Sequence, residues 1–208
     1  MFGGNFQTWK LHSAQDYFMF FAYILAGVLV FWLIAKHMNK QRNHEKAVEK
    51  VSARLKKICG KPGEVLKNAT LNLPEGKMTF DAVLMDKRGV YLVRTYGWGI
   101  KIYGTPDGAM WRREDAKRKE EFENPLLNLK KGAAEITKVM EENGVQNLKV
   151  MPMVVFADNF QTPELYLGYG SFSTTYQELK NWYKKQSGVK EVQYDYDKVS
   201  SIMKELAK

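Results

Sequence analysis

The chain has 208 residues, a formal net charge of +9, one cysteine and three histidines. A lone Cys59 excludes an internal disulfide and a thiolate metal site, and the scattered His12, His37 and His44 give no zinc-ligand spacing. The positive excess is concentrated rather than spread. Residues 36–61 carry net +7, whereas residues 62–208 carry only +2, so the charge does not describe a basic nucleic-acid-binding face.

Residues 17–35, YFMFFAYILAGVLVFWLIA, contain no charge and are followed directly by KHMNKQR. Crossing a bilayer core takes about 20 apolar helical residues, so the stretch reads as an uncleaved transmembrane helix. A signal peptide would need a basic start and small residues at its cleavage site, which this segment lacks. Only Lys10 and Asp16 are charged before the span, whereas Lys36, Lys40, Arg42, Lys46, Lys50, Arg54, Lys56 and Lys57 follow it. The cytoplasmic flank of a span is the basic one, which places the N-terminus outside and the rest of the chain inside the cell membrane. Lys36, Lys40, Arg42 and Lys46 are then positioned for the anionic headgroups of the lipid bilayer. Ala26-Gly27 offers a small-residue spot for a membrane-protein partner or a second copy of the chain.

The spacing of Ala47, Val48, Val51, Leu55 and Ile58 predicts an amphipathic helix from His44 to Ile58, ended by Gly60, Pro62 and Gly63. A break near Asn39–Asn43 separates it from the span. Strands are predicted at Glu64–Leu73, Met78–Met85 and Gly89–Tyr96, the last two joined by a tight Asp86–Gly89 hairpin. Shorter strands are expected at Gly99–Tyr103 and Ala109–Arg112. The mixed-charge run Arg112–Glu123 reads as a solvated loop or frayed helix. Asn124-Pro125 opens a helix with an inner stripe of Leu129, Ala133, Ile136 and Met140. Leu148–Ala157 reads as a strand buried on both faces, with Pro152 marking a bulge or edge. Thr175 and Glu178 suggest a capping box for a helix through Lys185, and Tyr194–Lys208 closes the chain as an amphipathic helix. Walker A, GxGxxG, GxSxG and HExxH patterns are absent.

Several segments, taken in order, resemble the nuclease-related domain (NERD) family, a branch of the restriction-endonuclease-like fold. They are a helix bearing Glu45 or Glu49, the TFDAVLM strand holding Asp81, the Arg88–Val93 strand, Trp98-Gly99, Gly104, Trp111, Asn124-Pro125-Leu126 and Val154-Val155-Phe156. The similarity covers roughly residues 44–182 and implies an α/β domain with a central mixed sheet flanked by helices. The resemblance also implies two acids that bind Mg²⁺ and a nearby Lys, with the second acid and the Lys two residues apart on one strand face. Those positions fall at 94 and 96, where this chain has Arg94 and Tyr96. Asn128 stands where the family's helix commonly carries Gln. A cation in place of the second acid repels a divalent metal, so the site reads as degenerate and no cofactor is expected. The alternative is an active Mg²⁺-dependent nuclease at a migrated site built from Asp81, Glu45 or Glu49, and Lys101.

The chain is therefore read as a short extracytoplasmic N-terminus (1–16), a span (17–35), a basic juxtamembrane segment (36–43) and a cytoplasmic domain (44–208). The expected role is a non-catalytic binding or assembly module, with a structural subunit of a membrane complex as a further alternative and nucleic acid left open as a partner. Asp81 and Arg94 are expected to pair across adjacent strands. Strict alternation would put Asp81 on one face with Thr79 and Val83, and Arg94 with Leu92 and Tyr96.

Overall fold

A computed structural model describes residues 14–41, 43–115, 118–158, 161–186 and 194–208. The chain divides into two units, residues 1–40 and 41–208.

In the first unit, α1 covers Ala14–Gln41, 28 residues without a proline. Ala14–Lys36 is long and apolar enough to cross a membrane, and none of it is buried within the protein. Such a helix, apolar on every side, is stable in lipid or against other apolar helices rather than in water.

The second unit opens with α2 (His44–Cys59), whose N-cap Asn43 accepts a hydrogen bond from the Glu45 backbone N–H. The expected break thus coincides with a real cap. Nine strands among the described residues build two sheets. The larger has the order β1 (Glu64–Leu73), β2 (Gly76–Asp86), β3 (Gly89–Tyr96), β7 (Val150–Phe156), β9 (Ser173–Thr175). It is mixed: β1, β2 and β3 run antiparallel, and β3, β7 and β9 are parallel. The smaller sheet has the order β6 (Lys119–Glu123), β5 (Met110–Glu114), β4 (Lys101–Gly104), β8 (Glu164–Leu167). Helix α3 (Pro125–Glu142) starts at its Asn124 cap, and α4 (Leu179–Gln186) and α5 (Tyr196–Leu206) complete the unit.

Each face of the larger sheet carries its own core. Ala82, Leu84, Tyr91, Val93, Met153 and Val155 pack with Ala47, Val51 and Leu55 of α2 and with Leu179 and Tyr183 of α4. Val83, Met85, Val90, Leu92, Val154 and Phe156 pack with α3, α5 and the smaller sheet's Ile102 and Trp111. The α/β class with helices on both faces is as expected. The second sheet is an addition to that picture.

Three local readings are corrected. Arg112–Glu123 is not a loop or frayed helix; it contains most of β5 and all of β6. Its charges are cross-strand partners: Arg113 lies opposite Glu120 and Glu114 opposite Lys119. Arg113 Nε donates to Glu120 at 2.9 Å, and Lys119 Nζ reaches Glu114 at 3.0 Å. Opposite charges at paired positions favour a strand pair, which composition alone conceals. The short β8 and β9 carry no distinct pattern and were not anticipated. Thirdly, strict alternation fails in β2. Phe80 and Val83 both face the α3 core, while Ala82 and Leu84 face α2. The parity shifts at Asp81, and β1 shifts with it at the facing Asn68, which adopts φ 47°.

Pro152 is accommodated as a local edge. Val154 donates its N–H to Phe172 beside β9, and pairing with β9 begins only at Val154. Pro152 points its missing N–H to the same side, one step before β9 starts, so no ladder bond is lost.

Candidate functional site

The parity shift leaves Asp81 at the point where β2 parts from β3. The ladder between them ends at Ala82 opposite Val93. One rung further, the Asp81 carboxylate replaces a backbone acceptor: its Oδ2 accepts the Thr95 N–H at 2.6 Å. Its Oδ1 receives Arg94 Nη1 at 3.3 Å, and His44 Nε2 lies 3.4 Å away. Arg94 spends its other arm on the Thr79 carbonyl at 3.1 Å. The Asp81 side chain is 5% exposed and that of Arg94 33%. A buried carboxylate needs such partners, and a forked guanidinium supplies two donors in fixed geometry. The expected Asp81–Arg94 pair is present in the structure.

Tyr96 occupies the position where the resemblance implies a Lys. Its ring stacks on Phe156 at 5.5 Å between centroids and meets Trp98 at 4.9 Å and Phe122 at 5.5 Å. Phe122 belongs to the smaller sheet, so Tyr96 packs between the two sheets. Burial pushes its hydroxyl up to about 12; Arg94 opposes that shift, and Asp81 and Glu123 add to it. A phenol held neutral in an aromatic cluster supplies no positive charge at this position.

The other expected acids do not join Asp81. Glu45 and Glu49 are exposed on α2, and Asn128 is exposed on α3. No hydrogen bond or ion pair among the described residues links any of them to Asp81. Lys101 reaches Glu164 on the neighbouring strand at 3.9 Å instead. His44, one residue before Glu45, is the member that sequence reasoning missed. Only its place in the first turn of the helix preceding the strands hinted at it. Of the residues read as membrane-facing, Lys36 places its ammonium 4.5 Å over the Trp32 ring, and Lys46 is exposed on α2. Lys40 lies in the last turn of α1, and Arg42 lies outside the described residues.

This donor set does not fit Mg²⁺. A magnesium site needs hard oxygen donors at near-octahedral geometry. Here one oxygen of the single carboxylate faces a guanidinium and the other is taken by a backbone N–H. Among the described residues no group of three or more His, Cys, Asp or Glu is arranged to hold a metal ion.

The family model for the nuclease-related domain matches residues 40–157, more than half of the chain. The chain belongs to the nuclease-related domain family. The matched NERD segment runs from the end of α1 through β7 and includes Asp81, Arg94, Tyr96 and Asn128. Strands β8 and β9 and helices α4 and α5 follow it. The chain is similar to an uncharacterized protein of Bacillus anthracis, with 32% identity over 112 residues that make up 52% of each chain. It therefore spans about half the length of that curated relative. No solved structure matches.

Proposed function

We propose that this chain is a single-pass membrane protein whose NERD domain lies on the cytoplasmic side and acts as a binding or assembly module without cutting nucleic acid. The observation that carries the reading is the Arg94 guanidinium 3.3 Å from Asp81, at the position where the family resemblance implies a second metal-binding acid. Replacing an acid by a cation inverts the local electrostatics, and a divalent ion is then repelled where it would have been bound. Tyr96 supports the same reading, because its packed, neutral ring stands where a cation would stabilise developing charge. The apolar α1 and the basic stretch after it support the anchor and its orientation. Lysines of that stretch near an anionic bilayer surface contribute about 1 kcal/mol each to the attraction.

The test is a cleavage assay on the full chain in detergent or nanodiscs, with single- and double-stranded DNA and RNA and with Mg²⁺ or Mn²⁺. The expected result is no metal-dependent cleavage above a control without protein. Metal-dependent cleavage that disappears in a folded Asp81→Asn variant would overturn the proposal in favour of an active nuclease.

A further inference from the structure

A groove of about 780 Å³ lies between α2 and α4, on the sheet face away from α3. Lys50, Arg54 and Lys57 line it from α2, Lys180 and Lys184 from α4, and Arg88 from the β2–β3 turn. Among the described residues no carboxylate lines it. The rest of the lining includes Tyr176 and Tyr183, and the cations lie against these rings. Arg54 sits 4.4 Å over Tyr176, with Lys50 at 4.9 Å, and Arg88 sits 4.3 Å over Tyr183.

Three features set this groove apart from ordinary basic surface. The first is like charge at helical neighbours. Lys50 and Arg54 are four apart on α2, as are Lys180 and Lys184 on α4, a spacing that brings like charges to one helix face. The second is position in the chain. Basic residues that orient a span are counted within about 15–20 residues of its end, and Arg88, Lys180 and Lys184 lie far beyond that. They also need the fold to meet Lys50 and Arg54. The third is construction from beneath. Asp86 is 4% exposed; it accepts the Tyr183 hydroxyl, and it accepts the Arg88 backbone N–H at 2.9 Å. Tyr194 donates its hydroxyl to the Asp86 carbonyl, and Arg88 Nη1 donates to the Tyr183 carbonyl at 3.1 Å. Asp86 is thus turned inward to fix the Tyr183 wall. The guanidinium groups are ordered over the rings in advance, which lowers the entropy cost of engaging a ligand.

We propose that this groove binds a small phosphorylated anion bearing at least two negative charges. Arg54 and Arg88 donate in fork geometry to phosphate oxygens, and the lysines act as point charges around them. The volume falls in the range of small-molecule sites. The groove is separate from the Asp81 site: Asp86 is five residues along β2 from Asp81, about 17 Å at strand rise. A phosphomonoester headgroup of the bilayer and a soluble phosphate share this chemistry.

The test uses the full chain in nanodiscs of neutral phosphatidylcholine at about 0.15 M salt, with inorganic pyrophosphate as the probe. Saturable binding at one site per chain is expected. Lys57→Glu with Lys180→Glu, both exposed, should weaken it about tenfold or more. Lys77→Glu with Lys138→Glu, equal in charge change but outside the groove, should leave it within about twofold. Repeating the titration with phosphatidic acid in the nanodisc identifies the source. Competition against pyrophosphate assigns the groove to a lipid headgroup, and unchanged affinity assigns it to a soluble anion. Binding that does not saturate, or that falls equally in both double variants, overturns the proposal. So does a short single-stranded oligonucleotide that needs Lys57 and Lys180 while pyrophosphate fails to bind.

Discussion

Taking away the guanidinium at position 94 leaves a buried carboxylate with, among the described residues, only the Thr95 N–H and a half-exposed His44. We expect Arg94→Ala to cost about 1–3 kcal/mol, less than for a fully buried pair because Arg94 is itself one-third exposed. Thermal unfolding of the full chain in nanodiscs measures this. A double-mutant cycle with Asp81→Asn should show coupling, and additive losses would mean the contact contributes nothing. The same substitution removes the charge that opposes the upward shift of Tyr96, so its hydroxyl should ionise at still higher pH by ultraviolet titration. Cys59 offers an independent check. Burial, with Asp86 adding to it, raises its thiol above the ordinary value, and Sγ donates to the Lys56 carbonyl at 3.4 Å. Less thiolate at neutral pH means slower alkylation than free cysteine at pH 7. A rate equal to free cysteine there would contradict this environment. At this scale the sequence pointed to the Asp81–Arg94 pair, because opposite charges at facing strand positions are visible in a linear reading. His44 was not visible, because its approach to Asp81 depends on where α2 enters the sheet.

Helix α3 carries a glycine in its middle, where alanine is intrinsically better by about 0.5–1 kcal/mol. A Cβ at Gly132 would lie 2.8 Å from Phe80 Cζ, a ring that is 1% exposed. Packing therefore decides the sign, and Gly132→Ala should destabilise by about 1–3 kcal/mol; a gain in stability would show that the Phe80 ring gives way. Helix α5 is held partly by charge. Lys204 Nζ lies 2.9 Å and Ser200 Oγ 3.0 Å from the Glu64 carboxylate, which is held below its ordinary range chiefly by the Lys204 hydrogen bond. A lowered carboxylate contributes stability at neutral pH and loses it as pH falls through the folded value. Amide exchange over 196–206 should therefore accelerate on acidification, after correction for intrinsic rates, and Glu64→Gln should remove that dependence. With the side chain 35% exposed, the contribution is about 0.5–1 kcal/mol. The α-helices and the first three strands were legible because their periods and caps are local. The β5–β6 pair was hidden because its charges make sense only across the strands, where Arg113 meets Glu120.

For the molecule as a whole, the basic flank after α1 predicts its orientation. In a Cys59→Ser background with cysteine at Lys208, an impermeant maleimide should label position 208 only after intact cells are permeabilised. Labelling of intact cells would reverse the topology. The division into two sheets was not legible, since it rests on β4 leaving the β3 direction after Gly99 and pairing with the distant β8. Arg94 and Tyr96 at the positions where the resemblance implies an acid and a Lys were legible in the sequence, while the basic groove was not. Its walls come from opposite ends of the domain, and α4 lies outside the matched NERD segment.

Asp81 closes the seam between β2 and β3 as much as it faces Arg94. An alanine there removes the acceptor that stitches Thr95 to the end of the ladder, so loss of any activity in such a variant reports first on the sheet. Asparagine keeps an oxygen for Thr95 and discards only the charge. In a nuclease-like scaffold of this kind, the aspartate that looks most catalytic is also a piece of masonry, and the residue that separates the two roles is the one opposite it, at position 94.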